Sequence, residues 1–107
     1  MADTPKELLL HPDAVAELQD SVAFYRERGG DPLAERFKTA VRESFTIIQT
    51  RPQWYPWLDS EQTARKIRLV KFPFSIIYIE RPTAVWIVAI AHGSRKPGYW
   101  FRRLGQG

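Results

Sequence analysis

Apolar positions along the chain change their period twice. Residues 6–10 (Lys-Glu-Leu-Leu-Leu) read as a short strand. From His11-Pro12 the period lengthens: Val15, Leu18, Val22 and Tyr25 recur at helical spacing, with Pro12 at the first helical position, where its missing N–H costs nothing. Gly29-Gly30 ends that helix by supplying left-handed backbone, and Asp31-Pro32 restarts the chain as N-cap and first turn of a second helix. Leu33, Phe37, Ala40, Val41, Ser44 and Ile48 mark its inner face, and Thr50-Arg51 before Pro52 its end. Two helices joined by so short a turn predict an antiparallel hairpin.

After an aromatic, proline-punctuated loop (Pro52-Gln-Trp-Tyr-Pro-Trp57) the period falls to two. Residues 65–71 alternate, with Ile67 and Leu69 on one face and Lys66 and Arg68 on the other. Residues 74–80 form a second run rich in β-branched and aromatic residues, and Arg81-Pro82-Thr83 is the turn that follows. The nearly unbroken apolar run 84–91 predicts a central strand covered on both faces. The order is β-α-α-β-β-β: an α+β domain, with a helical hairpin on a mostly antiparallel sheet. At 107 residues the chain makes one domain spanning 1–107.

Composition narrows the function classes. Cysteine is absent, which excludes a disulfide scaffold and a thiol nucleophile and suits a reducing cytoplasm. No apolar run approaches the roughly 20 residues of a membrane span, and the start Met1-Ala-Asp-Thr-Pro-Lys6 lacks the pattern of a signal peptide, so a cytoplasmic location is expected. The two histidines, His11 and His92, stand far apart in sequence, with no metal-ligand motif around either, and no nucleotide-binding or serine-hydrolase motif occurs. Neither metal nor cofactor is expected. The charge is lopsided: residues 1–62 hold seven basic and eleven acidic side chains, residues 63–107 nine basic and one acidic, Glu80. That split predicts a positive face built from the C-terminal half, suited to phosphate or to an acidic protein.

Candidate chemistry lies on that face. Lys66 and Arg68, two residues apart on a strand and so about 7 Å from each other, can hold two oxygens of one phosphate or two neighbouring phosphates. Taken alone, the pair reads more readily as a solvated charged edge. His92 ends the apolar strand as a proton shuttle or as a cap on the Gly93-Ser94 turn, and the cap is the better reading. The tail interleaves Arg95, Lys96, Arg102 and Arg103 with Tyr99, Trp100 and Phe101, a mixture that grips phosphate, stacks on bases or anchors a protein interface. Trp100 and Phe101 also have a plain core reading. For Trp54, Tyr55 and Trp57 core or partner binding is favoured over base stacking.

Taken in order, the His11-Pro12 helix start, Phe24-Tyr25, Arg65-Lys-Ile-Arg68, Phe72-Pro73-Phe74 leading into Ile77-Tyr78, and Ala91-His-Gly-Ser-Arg95 resemble the RelE/ParE superfamily of toxins from bacterial type II toxin–antitoxin systems. The resemblance covers nearly the whole chain and implies the fold derived above. It further implies a heterocomplex with a cognate antitoxin, expected to be small, acidic and partly disordered. RelE-like members cut messenger RNA on the ribosome without metal, using cations on the second and third strands and an arginine and an aromatic after the fourth. In that reading Lys66, Arg68, Arg95 and Tyr99 or Trp100 carry the chemistry, but Ser75 stands where the third-strand arginine is expected. ParE-like members poison DNA gyrase without catalysing a reaction themselves. The long hairpin and the His-Gly-x-Arg tail resemble this branch more, with Lys66, Arg68, Arg95, Lys96, Tyr99, Trp100, Arg102 and Arg103 as target-binding residues. Gyrase is the favoured target and the ribosome with its messenger RNA the alternative.

Overall fold

The computed structural model describes residues 4–106; the first three residues, part of the stretch read as lacking a leader, lie outside it. The elements run β1 (Glu7–Leu10), α1 (Pro12–Thr50), β2 (Arg65–Arg68), β3 (Phe74–Glu80), β4 (Ala84–His92) and a 3₁₀ helix at Phe101–Gln106. The sheet order is β1-β4-β3-β2, with β1 parallel to β4 and the other pairs antiparallel. This is the predicted α+β architecture. No helix among the described residues is long and apolar enough to cross a membrane.

The helical segment is two helices joined by a kink at one residue and so forms a hairpin. Gly30 adopts φ 73°, ψ −172°, a region open essentially to glycine alone, and splits α1 into arms 12–29 and 31–50. The arms fold back on each other, with the Tyr25 and Phe37 rings 5.0 Å apart. Arg26 Nε donates to Asp31 Oδ1 at 2.9 Å across the turn. At the other end of the first arm His11 is the N-cap: its buried ring accepts the Asp13 N–H at Nδ1, 3.0 Å away. The predicted stripe of the first arm is displaced by one position. Ala14 and Ser21 are buried, Leu18, Val22 and Tyr25 partly so, and Val15 is exposed. Small residues at 14 and 21 let the arm lie close to the sheet, and this recentres its contact line.

The sheet buries both faces. Against α1 it packs Ile67, Phe74, Ile76, Tyr78, Val85, Ile87 and Ile90, with Phe37, Val41 and Ile48 from the second arm. On the opposite face a smaller core gathers Ala64, Ile77, Ile79, Val88, Ala89 and Trp100. A β-bulge links the two patterns. Register steps from Ile77↔Ala89 to Tyr78↔Ile87, leaving Val88 without a partner, so that Val88 and Ala89 both join the second core. β2 is shorter than predicted: it ends at Arg68 rather than 71, and Val70 is almost fully exposed. Leu69 N–H already donates to Phe74 O at 2.9 Å, closing the connection, and Pro73 has no N–H to extend a ladder.

The loop 52–64 is pinned at several points. Tyr78 Oη donates to Pro52 O at 2.6 Å, Arg65 Nη1 to Tyr55 O at 2.6 Å, and the Asp59 carboxylate accepts the N–H groups of Thr63 and Ala64. The Arg65 guanidinium lies 3.7 Å from the centre of the Trp57 ring. Tyr55 packs against the first core, whereas Trp54 and Trp57 stay exposed.

Candidate cationic cleft

The site is built where the tail returns across the second face of the sheet. After β4 the chain turns at His92: Nδ1 accepts the Ser94 N–H at 2.9 Å, and Arg95 N–H donates to His92 O at 3.0 Å. The cap reading of His92 is the one its ring adopts. Gly93 N–H donates to Pro73 O at 2.7 Å, tying the turn to the β2–β3 connection. Gly98 then takes φ 78°, and a Cβ there would stand 2.5 Å from the Phe101 ring. That backbone lets the chain reverse and lay Trp100 into the second core.

Between the tail and the sheet lies a cleft of about 340 Å³. Its cations are Lys66 from β2 and Arg95 and Lys96 from the turn, with Ser75, Ile77, Tyr99 and Phe101 around them; no acidic side chain lines it. Lys66, Arg95 and Lys96 are exposed, so their charges are available to a ligand. Such a cleft attracts phosphate or carboxylate oxygens. Ser75 sits opposite Arg68 on one side and Ala91 on the other, and β3 carries no basic residue.

Other predicted site residues fall elsewhere. Arg68 is exposed but borders a groove between the second arm of α1 and the edge of β2, not the cleft that Lys66 lines. Trp100 is 4% exposed, a core side chain packed against the Phe101 ring at a tilt of 42° with ring centres 4.6 Å apart; it is not a free stacking platform. Arg102 is exposed on the 3₁₀ helix, outside the cleft lining. Arg103 points inward. Its Nη1 and Nη2 donate to the two carboxylate oxygens of Glu17 at 2.9 and 3.1 Å, and Nη1 also to Val88 O at 3.0 Å. Asp13 stands 3.6 Å from its Nε. Burial opposes the charge of Arg103, but hydrogen bonding and attraction to Glu17 win, and the guanidinium's pKa is raised.

Tyr99 belongs to the same network. Its hydroxyl donates to Glu17 Oε2 at 2.6 Å, and the Arg95 guanidinium lies 3.9 Å from the centre of its ring. Burial, then the hydrogen bond to Glu17, push its pKa far above the ordinary tyrosine value, so the proton stays on the hydroxyl at neutral pH. Glu17 completes its set by accepting the Ile90 N–H at 3.0 Å. β1 covers β4 only as far as Ile87, so the groups of β4 beyond that point have no strand neighbour on this side. Glu17 and Arg103 take the place of one. Sequence reading missed Glu17. The signal available was an acid one turn past Ala14 on the sheet-facing arm of a chain whose tail is wholly basic.

Among the described residues no group of three His, Cys, Asp or Glu side chains stands together as a metal site. The family model described as "ParE toxin of type II toxin-antitoxin system, parDE" matches residues 8–97, leaving the tail from Gly98 outside the match. The chain is similar in structure to a chain of the chromosomal ParDE toxin–antitoxin system from P. aeruginosa. That likeness has 19% identity, covers 81% of this chain and 95% of that one, and has a TM-score of 0.70. A second likeness is to the E. coli toxin RelE, solved in the free state as a double-arginine mutant, with 11% identity, 96% and 97% coverage and a TM-score of 0.64. No curated protein sequence matches the chain.

Proposed function

The chain belongs to the ParE toxin family of type II toxin–antitoxin systems, and from that membership we propose that it arrests growth in the cytoplasm by poisoning DNA gyrase and is neutralised by a cognate antitoxin. One observation carries the choice of target. The cleft holds three cations for binding, but at the third-strand position, where metal-free cleavage of RNA would want a cation to stabilise a dianionic phosphorane, it holds Ser75. Cations without that partner suit an anionic surface that is gripped and not cut, as in a complex of gyrase with DNA.

The hairpin supports the antitoxin half of the reading. Between its arms runs a groove of about 500 Å³ with an apolar floor of Leu18, Val22, Val41 and Phe45 and a rim bearing Arg26, Lys38 and Arg42. An acidic amphipathic segment that folds as it binds fits both features, and such coupled folding buries on the order of 1,000–3,000 Å². Expression of the chain alone then arrests growth, and co-expression of the antitoxin relieves it.

A supercoiling assay with purified gyrase tests the target. Wild-type protein is expected to block supercoiling. Arg95→Ala with Lys96→Ala is expected to weaken the block about thirtyfold, as befits two charge-assisted contacts of roughly 1 kcal/mol each lost to an anionic partner. Lys66→Ala and Arg68→Ala are each expected to weaken it only modestly. Truncation before Tyr99 is not a clean probe, since it removes Trp100 and Arg103 and with them part of the second core. One observation favours the alternative: Lys66, Arg95 and Tyr99 line a single cleft. Rapid ribosome-dependent cleavage of messenger RNA in a purified translation system, lost on Lys66→Ala, would make the nuclease reading correct.

A further inference from the structure

The arginine nearest the tail's turn is not held by a carboxylate of its own. Arg95 is exposed and lies on the ring of Tyr99, whose hydroxyl is held by Glu17. Glu17 in turn is fixed from two further sides, by the Ile90 N–H of β4 and by the paired nitrogens of Arg103. Its side chain is only 15% exposed and that of Arg103 11%, so these are bonds shielded from water and not surface ion pairs. Both carboxylate oxygens are fully engaged, each accepting two hydrogen bonds.

We propose that Glu17, on the first arm of the hairpin, is the positioning residue of the cationic cleft, acting through Tyr99 to aim Arg95 across the cleft from Lys66. The inference rests on the cleft being the surface that engages the toxin's target, whichever target that is. Its physical basis is pre-organisation. A guanidinium on a free turn samples many rotamers and loses that entropy on binding, whereas one seated on an immobilised ring has already lost part of it. Lys96, next in sequence, shows no such support among the described contacts, which makes Arg95 the cation whose placement the fold specifies. A purely structural role for Glu17, sealing the open stretch of β4, is the competing account, and the two separate at Tyr99. Tyr99→Phe leaves the bonds of Glu17 to Ile90 and Arg103 in place and cuts only the link to the platform of Arg95.

The test compares four variants of the full chain for growth arrest at matched levels of folded protein, which needs no assumption about the target. Glu17→Ala is expected to weaken arrest about tenfold and Tyr99→Phe about threefold, modest beside the losses that misplaced groups can cause. Glu17→Gln, which keeps an acceptor oxygen for Tyr99, should fall between Glu17→Ala and wild type. Tyr78→Phe, which deletes the hydrogen bond to Pro52 O far from the cleft, lowers stability and is expected to leave arrest unchanged. In parallel, the Tyr99 hydroxyl, followed against pH through the NMR signals of its ring carbons, should ionise closer to the ordinary tyrosine value in Glu17→Ala than in wild type. Wild-type strength in folded Tyr99→Phe, or arrest that simply tracks melting temperature across all four variants, overturns the proposal. A wild-type chain that arrests growth without inhibiting gyrase refutes the gyrase reading and leaves this comparison standing, while a wild-type chain that arrests nothing refutes both.

Discussion

One buried and one half-buried tyrosine hydroxyl give the fold a pH limit on the alkaline side. Tyr78 donates to Pro52 O and Tyr99 to Glu17, and burial is the main cause of the raised pKa of both. In the unfolded chain each ionises near 10.0. In the folded chain each does so higher. A raised value means that the unfolded state sheds its proton first, so the stability these groups supply is fully present below pH 10 and is lost as pH climbs toward the folded values. Urea unfolding at stepped pH is expected to show a flat free energy from neutral pH to about 10 and a decline beyond it. Tyr78→Phe should cost about 0.5–1.5 kcal/mol at neutral pH and flatten the decline; an undiminished decline in that variant would assign the alkaline loss to other groups. At this scale the sequence was informative about charge and poor about direction. Lys66, Arg95 and Lys96 were legible because a strand alternates and a turn exposes its residues. Trp100 and Arg103 were not, because the composition of the tail does not say which of its members face inward. Glu17 was hidden most deeply, since its partners arrive from a strand and a tail more than 70 residues later.

Turn chemistry decides the shape of the long helical segment. Gly30 is the one residue of α1 with non-helical backbone, and its φ/ψ pair is one that a side chain disfavours strongly. Gly30→Ala is therefore expected to destabilise the protein by about 1–3 kcal/mol, measurable as a drop in melting temperature, even though a Cβ there meets only Pro32, at 3.6 Å. A variant as stable as wild type would mean that the arms tolerate another angle. The Gly-Gly-Asp-Pro pattern made this turn legible, and the apolar spacing of the second arm gave its buried face. The β-bulge at Val88 was not legible, since every residue from 84 to 91 is apolar and an unbroken run carries no mark of where the register slips. The end of β2 was misplaced for a related reason. Alternation continues to Lys71 in the sequence, but the ladder stops where Pro73 and the bond from Leu69 to Phe74 close the connection.

For the molecule as a whole, the charge split was a sound guide to where the cationic surface lies and a poor guide to its size. Of the nine basic residues in 63–107, Arg103 is consumed by Glu17 and Arg65 by the loop it pins, and three line the cleft. The remaining consequence comes from the pairing of β1 with β4. β1 hydrogen-bonds to β4, the last strand made among the described residues, so the sheet cannot close until β4 has been synthesised. At about 5–20 residues per second, the stretch from the end of β1 at Leu10 to the end of β4 at His92 takes roughly 4–16 s to make, and the sheet stays open for that interval. The cleft is later still, because Arg95, Lys96 and Tyr99 all follow β4. Amide exchange on chains stalled after residue 80 should find the N–H groups of Glu7 and His11, which donate to Thr83 O and Ile87 O, unprotected, whereas in the released protein they exchange slowly; protection in the stalled chain would show that β1 finds another partner first. A nascent chain that stops short of β4 therefore carries none of the assembled cleft, and if the cleft engages the target as proposed, such a chain is harmless.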